Sequence, residues 1–209
     1  MSEIKNLMED NIRNNKVAYL ATFLFFSIGV VLGAYTIKYM GDNNTTELNK
    51  YFSTFISSLG DKSINYNEIF LSSFKSNFTL FGIIFISGIF ILGFPFLLLA
   101  NLWKGYTVGF TFSFLLTTYE YKGIGLAIGA VIPQNIIIVP VMLLFSSIFL
   151  NMSIGKLIAF RNKSKKISFE IREFGNILIV FSILLGIGIF IETFVSPNLI
   201  KLIITQFYS

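Results

Sequence analysis

Gly123-Ile-Gly-Leu-Ala-Ile-Gly-Ala-Val-Ile-Pro133-Gln134-Asn135-Ile-Ile-Ile-Val-Pro140-Val-Met-Leu-Leu-Phe-Ser-Ser-Ile-Phe-Leu150 decides the fold. These 28 residues carry no charge. As a straight helix they would run about 42 Å, longer than the roughly 30 Å hydrocarbon layer of a bilayer. The run therefore reads as a membrane span that is tilted, bent or broken. Pro133 and Pro140 each remove a backbone donor, and each frees the carbonyl four residues earlier, at Gly129 and Ile136. Gln134 and Asn135 lie deep in the apolar run, where side-chain amides are one way of satisfying such groups.

The rest of the chain agrees with a membrane setting. Of 209 residues 54% are hydrophobic and 13% charged, where a soluble domain would hold about a quarter charged. Further apolar stretches mark spans at 17–37, 78–100, 105–119 and 176–195 beside 123–150. The expected fold is an all-α, polytopic integral membrane protein of about five transmembrane helices, the fourth kinked or broken at Pro133 and Pro140. Asn101-Leu102-Trp103-Lys104 is expected to be the tight turn between the second and third. Trp103, Tyr106, Tyr119 and Tyr121 then fall near span ends as interfacial anchors. Glu192 falls about three residues from the end of the fifth span and snorkels to the interface.

Lys and Arg set the orientation. With the N-terminus in the cytoplasm and the C-terminus outside, ten basic residues face five acidic ones inside, and six face six outside. The net charge of +5 is then topological and gives no reason to invoke nucleic acid. Residues 1–16 form an amphipathic cytoplasmic N-terminus, 151–175 a basic cytoplasmic connector and 196–209 an outer tail too short to span. In the connector, Arg161, Lys163, Lys165 and Lys166 can attract anionic lipids.

Residues 38–77 are the one extracytoplasmic loop large enough to dock a protein. Within it Tyr51, Phe52, Phe55, Ile56 and Leu59 follow helical spacing, with Ser53, Thr54, Ser57 and Ser58 on the other face. Such a helix lies on the bilayer or on the bundle's own rim, or fills a partner's groove. Three glycine pairs, Gly29/Gly33, Gly105/Gly109 and Gly125/Gly129, have the spacing that lets helix backbones approach closely.

The chain contains no Cys and no His. Disulfide frameworks, thiolate or histidine metal centres, Cys nucleophiles and Ser-His-Asp triads are thereby excluded. No phosphate-binding glycine loop or paired carboxylate is present. No cofactor is expected, and the chain reads as a protein that is not an enzyme.

Phe81-Gly82 through Gly93-Phe94-Pro95, then Trp103-Lys104-Gly105-Tyr106-Thr107-Val108-Gly109-Phe110, then Ile132-Pro133-Gln134-Asn135 with Pro140, resemble the stage II sporulation protein M family in order and spacing. The broader family carries Pro-His-Gly-x-x-Glu-x-Pro in this helix. Gln134, Asn135 and Ile138 stand here at the His, Gly and Glu positions. The loss of that ionisable pair argues against a proton-linked or transport role. The resemblance implies a membrane scaffold for engulfment during sporulation, placed in the mother cell's septal membrane. It would recruit two peptidoglycan-degrading partners, stage II sporulation proteins D and P. The alternative reading is a small transporter or permease-like subunit built on the broken fourth helix.

Overall fold

In lipid every backbone polar group must be satisfied within the protein, so apolar stretches of this length fold as helices. The computed structural model describes residues 16–41, 46–50, 54, 64–163 and 171–207, and no strand occurs among them. Its long helices are α1 (Lys16–Lys38), α2 (Tyr66–Ile89), α3 (Phe94–Arg161) and α4 (Ile171–Phe190). A π-helical turn, Ile191–Val195, joins α4 to α5 (Ser196–Phe207). Four segments are long and apolar enough to cross a membrane: Lys16–Lys38, Tyr66–Ile89, Gly123–Arg161 and Leu178–Thr205.

Helix α3 is 68 residues long and does not run straight. Gly123 packs against the Leu115 carbonyl, eight residues back, which a straight helix would place about 12 Å away. The helix therefore folds over between them into a first arm, 94–115, and a second arm, 123–161. The first arm is missing from the four apolar segments because it carries Asn101, Lys104, Thr107 and Thr111 among its apolar residues.

Two of the three glycine pairs interlock. A methyl group on Gly29 or Gly33 would strike the backbone of Leu102, Tyr106 and Phe110, and one on Gly105 or Gly109 would strike that of Phe26 and Val30. Later residues of α1 meet later residues of the first arm, so the two helices run parallel. Two consecutive parallel rods require one that returns between them, and α2 supplies it. The third pair, Gly125/Gly129, makes room instead for Leu199 and Ile203 of α5.

Several expected boundaries are displaced. The turn expected at Asn101–Lys104 lies at residues 90–93, where Gly93 sits so close to the Ser87 carbonyl that a side chain would not fit. Asn101 stays helical, its amide donating to the Leu97 carbonyl (2.7 Å) while its Oδ1 is buried without a partner among the described residues. Helix α2 accordingly covers 66–89 rather than 78–100, and takes its first twelve residues from the expected loop. Pro133 and Pro140 lie inside α3 without breaking it. The first part of the expected connector, up to Arg161, continues α3 and fastens the 90–93 turn. Ser153 Oγ donates to the Phe90 carbonyl (2.9 Å) and Lys156 Nζ to that of Ile89 (2.8 Å), at the C-terminus of α2 where a cation is favourable. The expected tail forms α5, which buries Ile200 and Ile204 in the bundle.

The core has two parts. Toward the Lys16 end, called lower here, Phe81, Phe145, Phe149 and Phe181 interleave with ring centroids 4.6–5.2 Å apart. Toward the Lys38 end, Ile37, Phe114, Leu126, Val131, Ile200 and Ile204 make a second cluster. A polar layer lies between the two.

Candidate functional site: a polar cavity at mid-depth

Lys104 is at the middle of the bundle. Gly105 touches the Phe26 carbonyl, which places Lys104 about 15 Å from the level of Lys16 and about 18 Å from that of Lys38. The lysine expected in a turn is thus at the centre of the apolar layer, as is Trp103 beside it, which was expected at the interface. Trp103 is 62% exposed on the outside of the bundle and stacks on Tyr106, ring centroids 5.9 Å apart.

Charges at this depth are costly and normally face the bundle interior, paired. Lys104 and Glu192 line the same cavity. Asn77, 2% exposed and at the middle of α2, joins the two. Its Oδ1 accepts from Lys104 Nζ (3.4 Å), while its Nδ2 donates to Glu192 Oε2 (3.0 Å) and to the Ser73 carbonyl (2.9 Å). The amide presents its negative end to the ammonium and its positive end to the carboxylate, so one side chain relays both charges.

Glu192 reaches this position through the backbone. It lies in the π turn, where the Ser196 N–H bonds to the Ile191 carbonyl, five residues back. Pro197 has no N–H with which to return to Thr193, so the preceding turn widens instead. The α4–π–α5 rod runs on to Phe207, which puts Glu192 well inside the bundle and not near a span end.

Gln134 and Asn135 close the layer from the second arm. Their amides donate to the Ala130 and Val131 carbonyls (2.7 Å each), and Gln134 Oε1 accepts from Ser196 Oγ. Asn135 Oδ1 is buried without a partner among the described residues. Together these side chains line a cavity of about 580 Å³, bounded by α2, both arms of α3 and Glu192. It has the size of a small-molecule site, and its lining mixes these polar side chains with apolar ones such as Leu80, Val108 and Val131.

Of the sequence candidates, Gln134, Asn135 and Glu192 meet in this cavity. Pro133 is half-buried and Pro140 exposed in the same helix, and Gly105 and Gly109 serve the α1 contact. Tyr51, Phe52, Phe55, Ile56 and Leu59 lie outside the described residues, as do Lys165 and Lys166. Just before them, residues 46–50 are helical and Asn49 Oδ1 accepts from Thr118 Oγ1 (2.9 Å) at the upper rim of the bundle. Sequence reasoning missed Asn77 and Lys104. One signal was available: a third span of 105–119 holds only 15 residues where about 20 are needed, so its start had to move back past Lys104.

The family model described as Stage II sporulation protein M matches residues 22–197. The chain belongs to that family. The match runs from α1 to the start of α5 and so takes in every residue of the polar layer. Family membership makes this a sporulation-related membrane protein. Neither the curated proteins nor the solved structures yield a match.

Proposed function

We propose that this family member is a non-enzymatic membrane scaffold in bacterial sporulation. It acts in engulfment and recruits peptidoglycan-degrading partners, stage II sporulation proteins D and P, to the mother cell's septal membrane. The observation that carries the reading is the family match over residues 22–197.

In this reading the chain crosses the membrane five times, with the first arm of α3 as the third crossing. The parallel course of α1 and that arm supports the odd count. Lys16, Lys156, Arg161 and Lys163 gather at the lower end, which supports a cytoplasmic N-terminus by the positive-inside rule. The upper rim, with residues 46–50 docked on Thr118, then faces the wall and presents the segment 51–59 to partners. The basic residues from Arg161 to Lys166 hold the lower end against anionic lipid.

The test is a mild-detergent pull-down of the tagged protein from sporulating cells, beside a variant lacking residues 51–59. Wall hydrolases recovered with the full chain and lost with the deletion are the expected result. Equal recovery with both would overturn this contact.

The cavity favours a second reading, a small transporter-like subunit, because it places a charged pair at mid-depth where the sequence promised none. Gln134→Leu with Asn135→Leu would then abolish solute or ion flux in proteoliposomes. Wild-type protein that moves nothing would end this reading.

A further inference from the structure

Lys75 is the cation that the polar layer leaves over. It lies on α2 nine residues, about 13 Å, below the upper end at Tyr66, deeper than its own side chain can span to reach the interface. It lines the cavity and is exposed. Among the described residues it has no ion pair and no hydrogen bond. Lys104, by contrast, is answered by Glu192 through Asn77. Two lysines against one carboxylate give the cavity lining one more basic than acidic side chain.

The walls are suited to an anion. On α2, Ser72, Ser76 and Thr79 lie on the same face as Lys75, and Thr111 faces them from the first arm. Each offers a hydroxyl donor, and none has a partner among the described residues. The cavity is also open sideways. Its lower edge is Ile83 (45% exposed) and Trp103 (62% exposed), large apolar side chains on the outside of the bundle at membrane depth. A ligand entering there must bring apolar tails of its own.

We propose that the groove between α2 and the first arm binds the headgroup of an anionic phospholipid. The phosphodiester carries one negative charge, answers Lys75 and accepts from the surrounding hydroxyls, while the acyl chains lie past Ile83 and Trp103. This site is separate from the basic run at Arg161 and rests on neither functional reading above.

Native mass spectrometry of the purified full chain tests it, with phosphatidylglycerol, diacylglycerol and free glycerol 3-phosphate as probes. Phosphatidylglycerol binds more tightly than diacylglycerol of the same chains, and Lys75→Gln weakens it at least about fivefold, the scale of one lysine–headgroup contact. Lys38→Gln, the same charge change at a helix end, leaves binding within about twofold, and Lys75→Arg retains it. Because Lys75 is exposed, Lys75→Gln keeps the wild-type unfolding temperature. Binding of glycerol 3-phosphate that depends on Lys75, with none of phosphatidylglycerol, would overturn the lipid and keep the anion site. Diacylglycerol bound as tightly as phosphatidylglycerol, or phosphatidylglycerol binding untouched by Lys75→Gln, would overturn the site itself.

Discussion

Removing one charge from the Lys104–Asn77–Glu192 relay is a sharper perturbation than removing both. Glu192→Gln leaves Lys104 at mid-depth without its counter-charge. An uncompensated charge at the centre of a span costs about 2.5–3.5 kcal/mol. The open cavity admits water, so about 2–3 kcal/mol is expected, a change of roughly thirty- to a hundred-and-sixtyfold in the folding equilibrium. Lys104→Met is milder, because Glu192 keeps its hydrogen bond from Asn77; about 1–2 kcal/mol is expected. The double variant removes both ions and forfeits only the hydrogen bonds through Asn77, about 1 kcal/mol. It is therefore more stable than Glu192→Gln alone. Equilibrium unfolding in mixed micelles with increasing dodecyl sulfate reads all four corners of this cycle. A double variant destabilised by the sum of the two single losses would refute the pairing.

Other predictions follow from the same contacts. Gly105→Ile forces a side chain into the Phe26 carbonyl and destabilises the bundle by about 1–3 kcal/mol in the same micelle titration, whereas Gly82→Ala, with open space around it, is silent. Pro197→Ala restores the missing N–H and lets the π turn relax to α, which rotates Glu192 away from Asn77. Its unfolding profile should resemble that of Glu192→Gln, and a profile equal to wild type would contradict the role given to Pro197. The absence of native cysteine allows single-cysteine labelling: Lys38→Cys reacts with an impermeant thiol reagent in intact cells and Lys163→Cys only after lysis. The reverse pattern would invert the topology. Thr118→Val removes the hydroxyl that holds Asn49 and raises proteolytic cleavage between 46 and 65 in membranes, and unchanged cleavage would show that this contact does not hold the segment.

The helical class, the membrane setting and the close-packed glycine contacts were legible because they rest on local patterns. Gly29/Gly33 and Gly105/Gly109 have helix spacing whatever surrounds them, and both were found packed backbone to backbone. The polar layer was not legible, for a physical reason. A lysine flanked by Asn101 and Gly105 looks like a turn when its partners are unknown, and Lys104 is tolerable in a span only because Asn77 and Glu192, 27 residues before it and 88 after, come to meet it. Glu192 looked interfacial because the fifth span was bounded at 195, while in three dimensions the helix runs on past Pro197 by widening one turn. Displaced boundaries at both places hid the same site. Gln134 and Asn135 stood out in the sequence as amides in an apolar run, but their carbonyl partners and Ser196 could be named only from the fold.

The most direct test of the scaffold is made in the cell. Fluorescent fusions of the two peptidoglycan-degrading partners are followed at the septum of sporulating cells with and without this protein. The account predicts that septal enrichment of both partners is lost on its depletion and restored by the full chain. Undiminished enrichment without the protein would contradict it.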